Sequence, residues 1–280
     1  MSAGVSPLQA ALYGVVQGLT EFLPISSTAH LRILQAWMNP GVNQAGFTAF
    51  TAVIQLGTMV AVVLFFWREL LHVAVAWCRG LVDRTVRGTL EYRMGWYLIL
   101  ATIPVGVLGL IFKNQITSGA RNLWVIASAL IALALVLGVA ERSGRQTRTE
   151  EDITTRDALV VGAAQSLALV PGVSRSGATI TAGLFRGLDR VTAARFSFLL
   201  SVPAVVASGL FEAKDIGEKG APGMGVTIVA TVISFAVGLA SIAWLLRYVS
   251  RHSTFVFIGY RIALGVLLLG LLAGGALSAT

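Results

Sequence analysis

The sequence predicts an all-α integral membrane protein with six transmembrane helices and two broken, re-entrant helix pairs, arranged as an inverted-topology repeat. Three observations predict it. Of 280 residues, 56% are apolar and 12% charged, about half the charge of a soluble domain, and the mean hydropathy is +0.79. Several apolar runs approach the roughly 20 residues that cross a bilayer. Two further apolar segments are interrupted by proline, serine and glycine in ways that resemble each other. Strand alternation is absent, which argues against a β-barrel.

The elements follow in order. Residues 8–38 form an apolar segment broken at Pro24-Ile-Ser-Ser, followed by spans at 46–66, 94–112 and 123–141. Residues 157–186 form a second one, broken at Pro171-Gly-Val-Ser-Arg-Ser-Gly, followed by spans at 193–210, 225–247 and 255–275. Each broken segment has length for two half-helices. Irregular backbone between them survives at membrane depth only when buried in protein or lining a wet cavity. Residues 69–93 mix Leu, Val, Trp and Arg and read as an interfacial helix. Loop 142–157 is polar, mixed in charge and expected to be mobile. It divides a single membrane domain, residues 1–280, into repeats at 1–145 and 156–280.

The repeat is visible in the residues. GVVQGLTEFLPISSTAHL begins at Gly14 and GAAQSLALVPGVSRSGATI at Gly162, with Gly, Gln and Leu matching at 14/162, 17/165 and 19/167. One broken segment plus three spans makes each half odd, so the second half sits upside down. Loop charges test this independently. If loop 67–93 is cytoplasmic, that side collects fourteen arginines, from Arg68 to Arg251. The outer side receives Lys113, Arg121, Lys214 and Lys219. The bias obeys the positive-inside rule, places both termini outside, and has the first broken segment dip in from the outer face.

A net charge of +8 therefore reflects membrane topology, and no nucleic-acid partner is expected. Residues 1–20 lack a basic n-region and a cleavage site, so no cleaved leader is expected. Cys78 is the only cysteine. It excludes an intramolecular disulfide and reads as an inert interfacial thiol.

Glu21 is the acid out of place. The other acids fall in predicted loops or at helix ends, whereas Glu21 sits in an apolar run. A carboxylate at membrane depth costs roughly 2.5–3.5 kcal/mol on insertion scales, and its default reading is functional. Gln17 lies four residues earlier, on the same helix face. Ser26, Ser27 and Thr28 open the next half-helix, where a hydroxyl can cap exposed N–H groups. His30 lies about one turn beyond Ser27. A purely structural reading has Ser27 capping, His30 satisfying a buried group and Glu21 pairing with an arginine.

The second break reads as an anion cradle. Gly172 and Gly177 permit unusual dihedrals, so successive N–H groups can face one concavity. A half-helix N-terminus adds positive dipole. Ser174 and Ser176 add donors, and Arg175 adds a fork suited to phosphate oxygens. The plain alternative is that Arg175 merely neutralises Glu21. Arg261 either snorkels from a span end or serves within the bundle, and both readings stay open. His72 and His252 read as solvated loop residues. An anion cradle, a hydroxyl, an acid and an imidazole between hydrocarbon walls suit a lipid-linked phosphate or pyrophosphate.

QGLTEFLPISSTAHL together with PGVSRSG resembles the bacterial undecaprenyl pyrophosphate phosphatase family, of the bacitracin-resistance type, across nearly the whole chain. The resemblance implies hydrolysis of undecaprenyl pyrophosphate to undecaprenyl phosphate and inorganic phosphate for cell-wall synthesis. It implies a multi-pass protein of the bacterial inner membrane with its cleft facing outward. It implies a divalent cation, magnesium or calcium, and no organic cofactor. The family's acidic motif matches Gln17 and Glu21, its Pro-Ile-Ser-Ser-Thr-x-His run matches Pro24 to His30, and its second motif matches Pro171 to Gly177. Gln17 cannot ionise, so the cation is expected on Glu21 and the substrate phosphates.

The expected catalytic residues are Ser27, Glu21, His30 and Arg175. Gln17, Ser26, Thr28, Gly172, Ser174, Ser176 and Gly177 are expected to bind substrate. Ser27 is the favoured nucleophile, with Glu21 or His30 as base, and water activated at Glu21 is the alternative. Membrane lipid is an expected partner and a homodimer stays open. The competing class is a lipid-phosphate transporter or flippase, for which inverted repeats and broken helices are the usual signature.

Overall fold

The computed structural model describes residues 5–39, 44–112, 122–212 and 222–278. Eleven α-helices appear among them and no β-strand, only one isolated bridge between Arg148 and Leu188. They are α1 (Pro7–Phe22), α2 (Ser27–Met38), α3 (Gln44–Phe65), α4 (Trp67–Val82), α5 (Leu90–Ile111) and α6 (Leu123–Ser143), then α7 (Thr155–Ser166), α8 (Arg175–Phe185), α9 (Arg190–Glu212), α10 (Met224–Val249) and α11 (Phe255–Ala273). Five of these, α3, α5, α6, α10 and α11, are long and apolar enough to cross a membrane, and the chain is a multi-pass membrane protein. Lys113, Arg121, Lys214 and Lys219 lie outside the described residues.

The helix boundaries follow from local chemistry. Ser6 and Gln9 form a capping box at the start of α1, with Pro7 at the first helical position. Pro24 ends that helix, because the residue before a proline is driven extended and Leu23 has ψ 143°. Thr154 and Asp157 form the matching box on α7. The two interruptions then use one backbone device. Ser26 (φ 74°, ψ 99°) caps α2, and Ser174 (φ 71°, ψ 118°) caps α8. Both lie where a non-glycine residue is strained, of order 1–3 kcal/mol.

The packing crosses between halves. α1 lies along α10 and α7 along α5, while α3 packs on α10 and α9 on α5. The glycines matched in sequence are points of close approach. A β-carbon at Gly14 would collide with the Ala230 carbonyl, and one at Gly162 with the Ala101 carbonyl. Phe22 of α1 meets Phe198 of α9 edge-on at 5.3 Å, inside the largest apolar cluster. The α6–α11 pair closes the other side around Ile126, Leu130 and Leu268.

The seam expected to be mobile is tied down. Asp157, buried at the start of α7, binds Arg148 at 2.6 Å and Arg186 at 2.6 Å and accepts from the Thr154 hydroxyl at 2.7 Å. Arg148 also donates to the carbonyls of Asp152 and Arg186. The mixed charge of this loop serves as an internal clasp. Burial alone would raise the Asp157 carboxyl, yet the hydrogen bonds from Arg148, Thr154 and Arg186 hold it well below the usual carboxylate range. Arg190–Glu141 and Arg195–Glu69 join further basic segments at the same end. The interfacial segment 69–93 is α4, a short turn at Arg84–Gly88 and the first residues of α5. α4 exposes Trp67, Leu71 and Val75.

Candidate active site

The two breaks meet. α2 and α8 begin next to each other, and the first residue of each carries a functional group. Ser27 Oγ donates to Glu21 Oε2 at 2.8 Å, and Arg175 Nη2 donates to Glu21 Oε1 at 2.7 Å. Gln17 Nε2 donates to Glu21 Oε2 at 3.1 Å. The carboxylate is thus buried, held by one charged and two neutral donors, and shared by both halves of the chain. The other end of the Arg175 fork, Nη1, is buried without a hydrogen-bond partner.

A cavity of about 210 Å³ opens beside these groups. Its size suits a polar headgroup; a whole drug-sized ligand needs more. Glu21, Ser26, Ser27, Thr28, Gly172, Ser174 and Arg175 line it. The remaining expected site residues stand behind this wall. Gln17 holds Glu21. Ser176 Oγ donates to the Leu23 carbonyl at 2.9 Å and struts one break against the other. The Gly177 N–H is taken by Ser174 Oγ at 3.1 Å, so it caps α8 and does not face the cavity.

His30 also turns away from Ser27. Its Nδ1 lies 2.7 Å from the Ser26 carbonyl and its Nε2 2.6 Å from the Tyr260 hydroxyl, with the two rings stacked. With both ring nitrogens engaged elsewhere, His30 makes no hydrogen bond to Ser27, whereas the Glu21 carboxylate does. Tyr260 escaped the sequence reading because a tyrosine near a span end is ordinary in a membrane protein.

For Arg261 the structure decides between the two readings left open. It does not snorkel: it is 0% exposed and donates to the carbonyls of Leu130, Pro24, Ala129, Gly172 and Val173. None of these acceptors is a carboxylate. Two guanidinium groups around one carboxylate leave the breaks with excess positive charge, which a phosphate can neutralise. The sequence signal was an arginine inside an apolar span, but position along the span does not say which way the side chain points. His72 and His252 are exposed, as expected, but His72 lies on α4 and not in a loop.

Among the described residues, no three His, Cys, Asp or Glu side chains converge. A metal cage built from protein ligands alone does not fit the cleft. Glu21 is the one carboxylate among the described residues that line the cavity, so a divalent cation there would draw its other ligands from substrate phosphates and water, as magnesium commonly does.

Comparison with known proteins agrees with this architecture. Residues 10–267 match the family described as Bacitracin resistance protein BacA. The chain is 48% identical to the undecaprenyl-diphosphatase of Nocardia farcinica (strain IFM 10152), over 100% of both chains. It is 53% identical to that of Mycobacterium ulcerans (strain Agy99), over 97% of this chain and 99% of the relative. With the undecaprenyl-diphosphatase of Mycobacterium tuberculosis (strain ATCC 25177 / H37Ra) it shares 52% identity, again over 97% and 99%. Matching breaks, a shared carboxylate and full-length similarity agree: the chain belongs to the bacitracin resistance protein BacA family.

Proposed function

We propose that this cleft hydrolyses undecaprenyl diphosphate to undecaprenyl phosphate and inorganic phosphate, recycling the carrier lipid for cell-wall synthesis. The observation that carries the reading is the Ser27–Glu21–Arg175 line, in which a hydroxyl, a base and a phosphate-binding fork converge on one cavity. Full-length relatives named undecaprenyl-diphosphatase supply the substrate. A lipid-phosphate transporter would use the arginine fork but would have no need of a hydroxyl hydrogen-bonded to a carboxylate beside it.

The steps follow from the contacts. Arg175 uses its free Nη1 to bind a terminal phosphoryl oxygen. Ser27 Oγ attacks the terminal phosphorus, and its proton passes to Glu21 across the 2.8 Å contact. The Oγ–P bond forms, the bridging P–O bond breaks, and undecaprenyl phosphate leaves with the bridging oxygen. Water then attacks the phosphoserine. The Ser27 oxygen departs and recovers the proton from Glu21, while phosphate leaves as the monoprotonated or diprotonated anion. Catalysis is mainly charge neutralisation and positioning, as phosphoryl transfer requires. A divalent cation, when bound at Glu21 and the phosphates, adds positive charge to the transferring group. Gln17 and Ser176 position the carboxylate and the breaks, and the His30–Tyr260 pair fixes the entry turn of α2.

The same reading places six spans and two re-entrant pairs in an inverted repeat. The crossed packing of α1 on α10 and α7 on α5, and the paired serine caps, support it. It sets the protein in the bacterial inner membrane, with the cleft facing outward. A reporter that fluoresces only in the cytoplasm, fused after Thr280, should stay dark, and bright cells would reverse the topology. The decisive assay is phosphate release by the purified chain given undecaprenyl diphosphate in detergent. Lipid movement across vesicles without phosphate release would replace the phosphatase with a transporter.

A further inference from the structure

One buried side chain at the cavity has no role in these steps. Gln165 lies in the last turn of α7, is 1% exposed, and lines the cavity with Glu21, Ser27 and Arg175. Neither its Nε2 nor its Oε1 has a hydrogen-bond partner. Exchanging the two atoms changes nothing, because both are unpartnered, so the finding holds for either amide orientation. Buried amides are ordinarily satisfied, and an unsatisfied one asks for an explanation.

The repeat explains why this amide is free. Gln17, its counterpart in the first half, donates to Glu21 four residues later. Four residues after Gln165 stands Leu169, which offers no acceptor. The second half thus keeps the amide and lacks the carboxylate that would engage it. Arg175, whose Nη1 is likewise buried without a partner, lines the same cavity.

Resting on the phosphatase reading, we propose that Gln165 is a substrate-binding residue whose carboxamide holds the terminal phosphoryl group. Its Nε2 donates to a non-bridging oxygen of the diphosphate. Its Oε1 gains a partner when the product carries a P–OH, as it does once water has entered. Donor and acceptor on one planar group suit a phosphoryl group that gains a proton during the reaction. A second arginine here would bind the product as a fixed charge and slow its release, whereas an amide holds it without charge.

The test uses Gln165→Met, which keeps the volume and removes both polar atoms. A structural role and a binding role predict opposite stabilities. If the amide only filled space or served the fold, the variant would melt lower. If it waits for a ligand, replacing unsatisfied polar atoms by apolar ones leaves melting unchanged or raises it. We expect the purified variant to melt at or above the native temperature. We expect its kcat/KM on undecaprenyl diphosphate to fall about tenfold or more, some 1.4 kcal/mol for each factor of ten. We also expect inorganic pyrophosphate to raise the melting temperature of the native chain and not that of the variant. Native kcat/KM in Gln165→Met overturns the proposal, and so does a lowered melting temperature. Should the native chain release no phosphate, the phosphatase reading fails and the pyrophosphate shift alone decides the contact. A shift lost in Gln165→Met then upholds it, and an equal shift in both proteins overturns it.

Discussion

Arg175 Nη2 sits 2.7 Å from Glu21 Oε1, joining residues 154 positions apart in sequence. The pair is neither a plain counter-ion contact nor a plain phosphate cradle. One end of the arginine fork holds the carboxylate in place, and the other is buried and unpartnered. A lysine keeps the charge but cannot serve both ends, since its ammonium is a point charge. We expect Arg175→Lys to lower kcat at least tenfold, about 1.4 kcal/mol of transition-state stabilisation. Full turnover in that variant would reduce the arginine to bulk charge.

Glu21 accepts from Gln17, Ser27 and Arg175 together. Glu21→Gln keeps the shape but cannot take the Ser27 proton or hold a cation. Activity should fall by about two orders of magnitude or more. Adding a chelator to the native chain should also reduce phosphate release, and restored magnesium should recover it. If Glu21→Gln retains activity, the base must be sought at His30, despite its contacts to Ser26 and Tyr260.

Ser27 and Ser26 are neighbours with different duties. Ser27 Oγ faces the base, whereas Ser26 Oγ accepts from the Ala29 N–H and caps α2. Ser27→Ala should lose nearly all turnover while melting near the native temperature. Ser26→Ala should keep a measurable fraction of activity and melt lower, since losing such a cap costs about 1 kcal/mol. A phosphoenzyme trapped at Ser27 would establish the covalent route. Substantial turnover by Ser27→Ala would pass the role to water activated at Glu21.

The helical membrane class and the two breaks were readable in the sequence. Pro24 and Pro171 marked the breaks because proline cannot continue a helix, and Glu21 stood out because charge is expensive in hydrocarbon. The unreadable part concerns direction. Arg261, Ser176 and His30 were all singled out, but spacing along a chain does not say whether a side chain faces the cavity or the wall behind it. Gln165 was visible only as a repeat match. Its free amide is a consequence of Leu169, and only the packed structure reveals that nothing else reaches it.

The clasp at Asp157 predicts a pH window for stability. Its folded-state carboxyl lies below the ordinary value, so the stabilisation is fully present above the unfolded pKa of about 4. It is lost only as pH falls further, through the depressed folded value. Melting in detergent should therefore stay flat, as far as this group is concerned, from neutral pH down to about 4. Asp157→Asn removes the charge at every pH and leaves Arg148 and Arg186 facing each other. Breaking a buried pair from one side costs roughly 3–5 kcal/mol, and partly exposed arginines put this case at the low end. Melting of Asp157→Asn equal to native would mean that the seam contributes nothing to the fold.

Arg261 offers the sharpest separation of architecture from chemistry. Its guanidinium reaches the Pro24 carbonyl of the first break and the Gly172 and Val173 carbonyls of the second. It also donates to Leu130 and Ala129 of α6. Its three nitrogens reach five carbonyls, with the two N–H groups of Nη2 shared among those of Ala129, Gly172 and Val173, whereas a lysine ammonium offers three donors from a single point. Arg261→Lys therefore leaves buried carbonyls unsatisfied, at about 1–3 kcal/mol for each group, and frees the two breaks from each other. Melting temperature and activity should fall together. Arg175→Lys, by contrast, should lose activity with little loss of stability. A native melting temperature with absent activity in Arg261→Lys would instead make Arg261 a direct contact to the phosphate, and its role as a tie between the breaks would be wrong.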